Sequence, residues 1–406
     1  PAGEFACSND LFNRIQESSV RSLLGNIQGV QSDCPHREKF GYGGDIVADG
    51  ALGLCNFDMA TFYRKIARDF DDAVRPNGGF TETAPYVGIA DQGLGDGSGP
   101  IGWGTAQPLL LFDLYLYYGD AALVREGLHA AQRYLDLIAS KATNYIVDSC
   151  IGDHETLADK DTALSSTAFF FANARLVALL SAIAGENAAA EKARALAGEI
   201  AKAFQAHFYD PATGKYGLGT QACQAFALMF GLVPAECKEK ALEVLANDIA
   251  AHDNALTTGI FGTPYMLHAL VDNGRGDLAY TIVNRRAFPG WGNMLETGAT
   301  TLWEHWEFSD NTFSHNPPMV GSVSEWFYSA IAGIAPGYDA CGYDRIVIAP
   351  HILGDLTWAR ARYESARGTI ASAWRTENNT LILDVSIPPN TTAKVYVPAK
   401  PGENVQ

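Results

Sequence analysis

Apolar residues recur at helical spacing over most of the chain, from about residue 8 to residue 335. The segment LFNRIQESSVRSLLGNI places Leu11, Ile15, Leu23 and Ile27 roughly on one face, and VREGLHAAQRYLDLIASKA repeats the pattern. Spacings of three and four residues are typical of amphipathic helices. The alanine-rich segments further along favour helix as well. We expect about a dozen helical segments of ordinary length.

Glycine-rich loops separate these segments, and long connections alternate with short ones. The long loops are FGYGGD, RPNGGF, DQGLGDGSGPIGWG, DPATGKYGLG and FPGWGNM. Short connections join helices into antiparallel hairpins. The alternation therefore predicts helical hairpins arranged in a ring, with the long loops gathered at one end.

The pattern changes after Pro336. The segments YDRIVIAP, GTIASAW, TLILDVSI and AKVYVPA are short, rich in β-branched residues and alternating, which is typical of strands. The pair at 378–379 predicts a hairpin turn. The sequence thus predicts a mainly α-helical domain over 1–338 and a small antiparallel β-domain over 339–406.

Composition and charge exclude several classes of protein. The chain has 406 residues, of which 47% are apolar and 18% charged, so a sizeable core is expected. The net charge of −17 argues against a nucleic-acid partner or an anionic membrane surface. No run of eighteen apolar residues occurs, so we expect no membrane span.

Cysteine and histidine spacings point to no metal site and no cofactor. The seven cysteines are scattered without a CxxC pair, and we expect free thiols. Because the chain begins with Pro1, we expect a processed or trimmed protein. A periplasmic or secreted location is favoured over a cytoplasmic one, and the oligomeric state is not indicated.

The candidate catalytic residues are carboxylates in glycine-rich or aromatic-rich loops. Glu304 lies between Trp303 and Trp306, and Glu38 lies beside Arg37 and close to Tyr42. An apolar neighbour raises the pKa of a carboxyl group and so permits proton transfer near neutral pH. Its flat face also suits a sugar ring. Two such acids indicate glycoside hydrolysis, which needs a proton donor and a second carboxylate. The other loop candidates are Asp33, Asp45, Glu82, Asp96, Asp153, Glu155, Glu296, Glu307 and Glu325.

Two stretches, DCPHREKFGYGGD at 33–45 and GATTLWEHW at 298–306, resemble the α-L-rhamnosidases of glycoside hydrolase family 78. TGIFGTPYMLHAL, GSVSEWFYSAIAGIAP and GPIGWGTA are similar to the family too, so the resemblance covers nearly the whole chain. It implies an (α/α)6 barrel followed by a β-sandwich-type domain, in agreement with the pattern above. The β-domains that precede the barrel in the family are absent from this sequence.

The resemblance also implies an inverting mechanism acting on a carbohydrate substrate, L-rhamnosides. Glu38 would be the general acid and Glu304 the general base that activates water. The three glycines of the first motif would let its loop turn tightly. The residues implied to bind the sugar are Asp33, Arg37, Tyr42, Asp45, Trp103, Asp153, His154, Trp291 and His315.

Some positions allow other interpretations. Asp33 could staple its loop by holding Arg37, and Asp45 could cap a helix that starts at Ile46. For the whole chain, one alternative is another (α/α)6 carbohydrate-active enzyme, such as a different exo-glycosidase or an unsaturated uronyl hydrolase. Another is an inactive carbohydrate-binding relative.

Overall fold

The structure, a computed structural model, describes residues 1–310, 313–378 and 380–399. Helices are the main regular structure up to residue 331, and all the strands except the first follow them. The helices are α1 (Asp10–Asn26), α2 (Gly43–Asn56), α3 (Ala60–Ala73), α4 (Ile101–Gly104), α5 (Ala106–Tyr118), α6 (Ala121–Lys141), α7 (Thr162–Ala184), α8 (Asn187–Phe208), α9 (Gln221–Met229), α10 (Lys238–Ala251), α11 (Gly262–Asp272), α12 (Gly276–Val283), α13 (Trp291–Glu296) and α14 (Val323–Trp326). A π-helical turn, Phe327–Ile331, continues α14.

Six helices form a closed inner ring: α2, α5, α7, α9, α11 and α14 each contact the next, and α14 contacts α2. An outer layer of α1, α3, α6, α8, α10 and α12 packs against them. The predicted ring of helical hairpins is confirmed.

The inner and outer helices differ in how much of their circumference is buried. Helix α5 buries residues around most of its circumference, whereas α3 buries only Tyr63, Ile66, Ala67 and Phe70, which lie on one stripe. Inner helices face protein on all sides, so they lack a polar stripe. By length and composition alone, α7 could cross a membrane, but 67% of its most apolar window is buried inside the ring.

The strands form two sheets. They are β1 (Gly3–Cys7), β2 (Ile334–Pro336), β3 (Arg345–Ile348), β4 (Trp358–Ser365), β5 (Gly368–Glu377), β6 (Thr380–Ser386) and β7 (Thr392–Val395). One sheet has the order β1-β4-β5-β6 and the other β2-β3-β7. The predicted hairpin at 378–379 joins β5 and β6; Asn378 has a left-handed φ of 50°, and Asn379 lies outside the described residues.

The sheets depart from the expected pattern in two ways. β3 and β7 run parallel, not antiparallel. Strand β1, at the start of the chain, pairs with β4 in register Gly3 to Tyr363. One sheet therefore joins both ends of the chain across the predicted boundary at 338/339, and that division stays a prediction.

The ring closes where the first helix meets the late loops. The Leu302 amide donates to Ser22 Oγ at 2.8 Å, and Asn26 Nδ2 donates to the Asn316 carbonyl at 2.6 Å. Ser22 and Asn26, the two α1 residues in these hydrogen bonds, are both buried. Closure of the ring therefore brings the loops that follow α1 and α13 to the same place.

Candidate active site

The first motif forms a stapled loop between α1 and α2. Asp33 Oδ1 accepts the Phe40 amide at 2.8 Å, and the Asp33 amide donates to the Phe40 carbonyl at 3.0 Å. Lys39 takes a left-handed φ of 62° inside the staple. Arg37 and Glu38 are exposed residues of this loop, but the carboxyl group of Glu38 is partly buried. Asp33 thus staples the loop through Phe40, and a hold of Asp33 on Arg37 stays a prediction.

The glycines of this motif serve close packing. A Cβ atom on Gly44 would lie 2.4 Å from the Trp103 indole, and one on Gly43 would lie 2.2 Å from the Trp103 carbonyl. Neither glycine has a left-handed φ, so the expected tight turn is not the reason for them. Helix α2 starts at Gly43, which puts Asp45 in its first turn and makes the predicted cap at Asp45 wrong.

The second motif holds Glu304 through one residue, Ser314. The Ser314 amide donates to Glu304 Oε2 at 2.6 Å, and the Glu304 amide donates to the Ser314 carbonyl at 2.9 Å. Nearby, the His315 ring packs between Trp303, at 5.4 Å, and Phe308, at 5.0 Å. His315 Nε2 is buried without a hydrogen-bond partner among the described residues.

The two motif loops touch. Ser314 Oγ lies 3.5 Å from His36 Nδ1, so the residue that holds Glu304 also contacts the first loop. The charge of Glu304 raises the pKa of Glu38, which places the two carboxyl groups within electrostatic reach of each other. The structure therefore brings together two acids that are 266 positions apart in the sequence.

Glu38 sits among other acids. Burial raises the pKa of its carboxyl, and the charge of Asp33 and a hydrogen bond to Asp33 raise it further. Glu304 acts in the same direction more weakly, whereas the Tyr42 hydroxyl lowers the pKa by donating a hydrogen bond to Glu38. Glu38 consequently keeps its proton to higher pH than an ordinary glutamic acid.

Asp45, in the first turn of α2, is buried and lies within electrostatic reach of Asp33 and Glu304. Its Oδ1 has no hydrogen-bond partner among the described residues, and burial together with the charges of Asp49 and Asp33 raises its pKa. Asp49, one turn further on, accepts Gln31 Nε2 at 2.5 Å. Gln31 Oε1 accepts the Tyr63 hydroxyl at 2.8 Å. A polar chain thus runs from α3 to α2 under the first loop.

Glu82 is an additional acid near the first loop. It is buried, its Oε2 accepts the Asp91 amide at 2.8 Å, and burial raises its pKa to about 7. Its charge also reaches Glu38 and Tyr42. The sequence marks Glu82 as a loop carboxylate, but nothing in its local pattern assigns it to this site.

The carboxylate of Asp153 accepts hydrogen bonds from backbone amides. Its carboxylate accepts the amides of Gly259, Phe261 and Gly262 at 2.6, 3.0 and 2.9 Å, and its pKa is raised to about 6 by burial. These bonds fix the loop that leads into α11. The sugar contact of Asp153 remains a prediction.

His154 and Trp103 lie side by side. Their rings meet edge to face at 5.9 Å, and the His154 side chain is 34% exposed while Trp103 is 3% exposed. Burial lowers the pKa of His154 to about 4, so its imidazole is neutral near pH 7.

Trp291 departs most clearly from the predicted pocket. It is 0% exposed, its indole N–H donates to the Val320 carbonyl at 2.9 Å, and its ring meets Trp306 edge to face at 5.2 Å. A ring covered by protein on all sides has no face left for a sugar. The packing argues that Trp291 belongs to the core.

Within the described ranges, no group of three histidine, cysteine, aspartate or glutamate residues could hold a metal ion. All seven cysteines are free thiols, and five of them are buried. The functional groups where the two loops meet include the carboxyl groups of Glu38 and Glu304, the His36 imidazole and the Ser314 hydroxyl.

Comparison with known families now decides where the chain belongs. Residues 1–331 match the model of the bacterial alpha-L-rhamnosidase six-hairpin glycosidase domain, and residues 333–406 match that of the bacterial alpha-L-rhamnosidase C-terminal domain. The chain belongs to the bacterial α-L-rhamnosidase family. The expected family resemblance and fold class are both confirmed.

Relatives in the α-L-rhamnosidase family agree over the whole chain. An alpha-L-rhamnosidase of Streptomyces avermitilis is 34% identical over 99% of this chain, and one of Formosa agariphila is 30% identical over all of it. The chain spans 39% and 45% of their lengths.

Solved α-L-rhamnosidase structures show the same fold. That of Dictyoglumus thermophilum superposes with a TM-score of 0.92 at 33% identity, over 98% of this chain and 46% of that one. The Streptomyces avermitilis enzyme, solved with L-rhamnose, gives 0.91 at 32% identity, over 98% of this chain and 39% of that one.

Proposed function

We propose that this chain carries the catalytic domain of an inverting α-L-rhamnosidase that releases terminal L-rhamnose from glycosides or glycans. The observation that carries the proposal is the contact between the two motif loops, where Ser314 Oγ lies 3.5 Å from His36 Nδ1 and the charge of Glu304 reaches Glu38. The family match and the relative solved with L-rhamnose support the choice of sugar.

In this mechanism Glu38 protonates the glycosidic oxygen as the bond to the leaving group breaks. Its raised pKa supports the role, because a general acid must enter the reaction with its proton. Glu304 removes a proton from the water that attacks the anomeric carbon from the opposite face. Ser314 holds Glu304 Oε2, and the proposal assigns Oε1 to the water. Attack from that face gives the β-anomer of L-rhamnose first.

The sugar is held by hydrogen bonds to its hydroxyl groups. Asp45 Oδ1 is buried with no donor among the described residues, and a sugar hydroxyl would satisfy it. Asp33 lies close enough to Asp45 for their charges to interact and would accept a second hydroxyl. Arg37 donates to a sugar oxygen, and Tyr42 supplies an apolar wall for the methyl group of rhamnose. Trp103 is 3% exposed, so its contact with the sugar stays a prediction.

The acidic surroundings favour a neutral sugar over a uronic acid. Glu38, Asp33, Asp45 and Glu304 interact electrostatically with one another. The carboxylate of a uronic acid placed among them would be repelled, since like charges at close range destabilise each other. This observation disfavours an unsaturated uronyl hydrolase.

The test is hydrolysis of methyl α-L-rhamnoside, whose leaving group needs a proton, by Glu38→Gln and Glu304→Gln. Each substitution keeps the shape of the side chain and removes its proton transfer, so kcat should fall about 10²- to 10⁴-fold. Glu307→Gln, an exposed glutamate three positions from Glu304, is the matched control and should keep its activity.

Two further readouts separate the roles. Glu38→Gln should lose much less activity on substrates with acidic phenol leaving groups than on alkyl rhamnosides, whereas Glu304→Gln should lose activity equally on both. NMR of the wild-type reaction should show β-L-rhamnose before mutarotation. If the wild type cleaves no α-L-rhamnoside, or if both glutamine variants stay fully active, the proposal is wrong.

A further inference from the structure

Glu155 has no assigned role, although it lies close to Glu304. It belongs to the loop between α6 and α7 and takes a left-handed φ of 60°. L-residues other than glycine, asparagine and aspartate rarely adopt this conformation, which costs about 1–2 kcal/mol. The side chain is 16% exposed, and the charge of Glu304 raises its pKa in addition to burial. Glu155 thus shares the electrostatic environment of the candidate base.

Two imidazoles flank the Glu155 carboxylate. His154 Nε2 lies 3.5 Å from its Oε1, and His305 Nε2 lies 3.6 Å from its Oε2. These separations are longer than normal hydrogen bonds. In the part of the chain that the structure describes, no group donates a closer hydrogen bond to Glu155. A half-buried carboxylate of this kind is stabilised by donors that a ligand can bring.

The orientation of His305 follows from its other nitrogen. His305 Nδ1 accepts the Glu307 amide at 3.2 Å, so the neutral imidazole carries its proton on Nε2, the nitrogen that faces Glu155. The ring also stacks on Phe313 at 5.1 Å with an interplanar angle of 16°. His305 is therefore held in place and presents a donor beside a carboxylate that presents acceptors.

The position of Glu155 relative to Glu38 and Glu304 indicates which part of the substrate it contacts. Glu155 lies near Glu304, and His154 packs against Trp103. In an inverting site the general acid stands at the leaving group and the base stands on the other side of the ring. Groups beside Glu304 consequently face the terminal sugar and not the leaving group.

We propose that Glu155, flanked by His154 and His305, is a further sugar-binding residue that accepts hydrogen bonds from ring hydroxyls of the terminal sugar. The carboxylate accepts, and the His305 Nε2–H donates to the same or the adjacent hydroxyl oxygen. The ligand class is a neutral pyranose with neighbouring hydroxyl groups. The inference rests on the proposed function and adds a contact to the same pocket.

A cycle that combines enzyme variants with deoxygenated substrates tests this contact. The kcat/KM of wild type, Glu155→Gln and Glu155→Ala is measured on p-nitrophenyl α-L-rhamnoside and on its 2-deoxy, 3-deoxy and 4-deoxy analogues. Asp159→Asn, an exposed carboxylate in the same loop, is the matched control. Thermal unfolding of each variant checks that it is folded.

For one of the ring hydroxyls, we expect its removal to lower the kcat/KM of wild type about tenfold or more. The same removal should lower the kcat/KM of Glu155→Ala less than about twofold, because that variant has already lost the acceptor. Asp159→Asn should behave as wild type. If every analogue loses the same factor in Glu155→Ala as in wild type, Glu155 makes no sugar contact and the inference is overturned, while the proposed function stands. If wild type cleaves no rhamnoside, the proposed function fails and the inference falls with it.

Discussion

The two motif loops hold their glutamates in opposite ways. Glu38 projects from a loop stapled by Asp33 and Phe40, and it is surrounded by acids and hydrogen-bonded to one of them. Glu304 receives a backbone amide from Ser314 on one oxygen. Burial and an acidic neighbour favour the protonated form of a carboxyl, and both raise the pKa of Glu38.

Glu38 and Glu304 are the same type of residue in different surroundings. Under the proposed function, Glu38 would be the proton donor and Glu304 the proton acceptor. The supports below them differ too. A polar chain of Tyr63, Gln31 and Asp49 runs under the first loop, while tilted aromatic rings pack around His315 beside the second.

The largest effect should follow from Asp33→Asn. Asparagine can still accept the Phe40 amide through its oxygen, but the charge that raises the pKa of Glu38 is lost. The Glu38 pKa should fall, so Glu38 loses its proton at lower pH and the alkaline limb of the kcat/KM profile should move to lower pH. Activity near neutral pH should drop about tenfold or more as a sugar contact is weakened. An alkaline limb unchanged from wild type would contradict the contrast between the loops.

A smaller effect is expected for Tyr63→Phe. The buried hydroxyl donates to Gln31 Oε1 at 2.8 Å and lies 3.0 Å from the Gly50 carbonyl, so its removal leaves buried acceptors unpaired. The loss should be about 1–3 kcal/mol of unfolding free energy, seen as a lower Tm in calorimetry. Tyr145→Phe, at an exposed tyrosine, should leave the Tm unchanged. An equal Tm for the two variants would show that the polar chain does not support the first loop.

The smallest effect is expected for Ser314→Ala. This change removes the 3.5 Å contact with His36 but keeps the amide that donates to Glu304. Because a contact of that length is weak, kcat/KM should change less than about threefold. A loss comparable to that of Glu304→Gln would mean that the hydroxyl, and not the amide, holds the base.

Local sequence patterns were sufficient to predict the helices of the outer layer and the strands that are rich in β-branched residues. Helix α2 is harder to predict, because Gly43, Gly44, Gly50 and Gly53 interrupt its periodicity. Gly43, Gly44 and Gly53 have spatial reasons: a Cβ on Gly53, for example, would lie 2.2 Å from the Tyr63 hydroxyl oxygen. Strand β1 is likewise recognisable only through β4, its partner more than 350 positions away.

The sequence by itself determined the helical ring, the strands that follow it, the family and the two loops that carry Glu38 and Glu304. Only the tertiary structure decided that Glu82 and Glu155 share their electrostatic environment and that Trp291 is enclosed in the core. The physical reason is that periodicity reports which face of one element is apolar, whereas charge interactions and burial depend on distances between residues far apart in the chain.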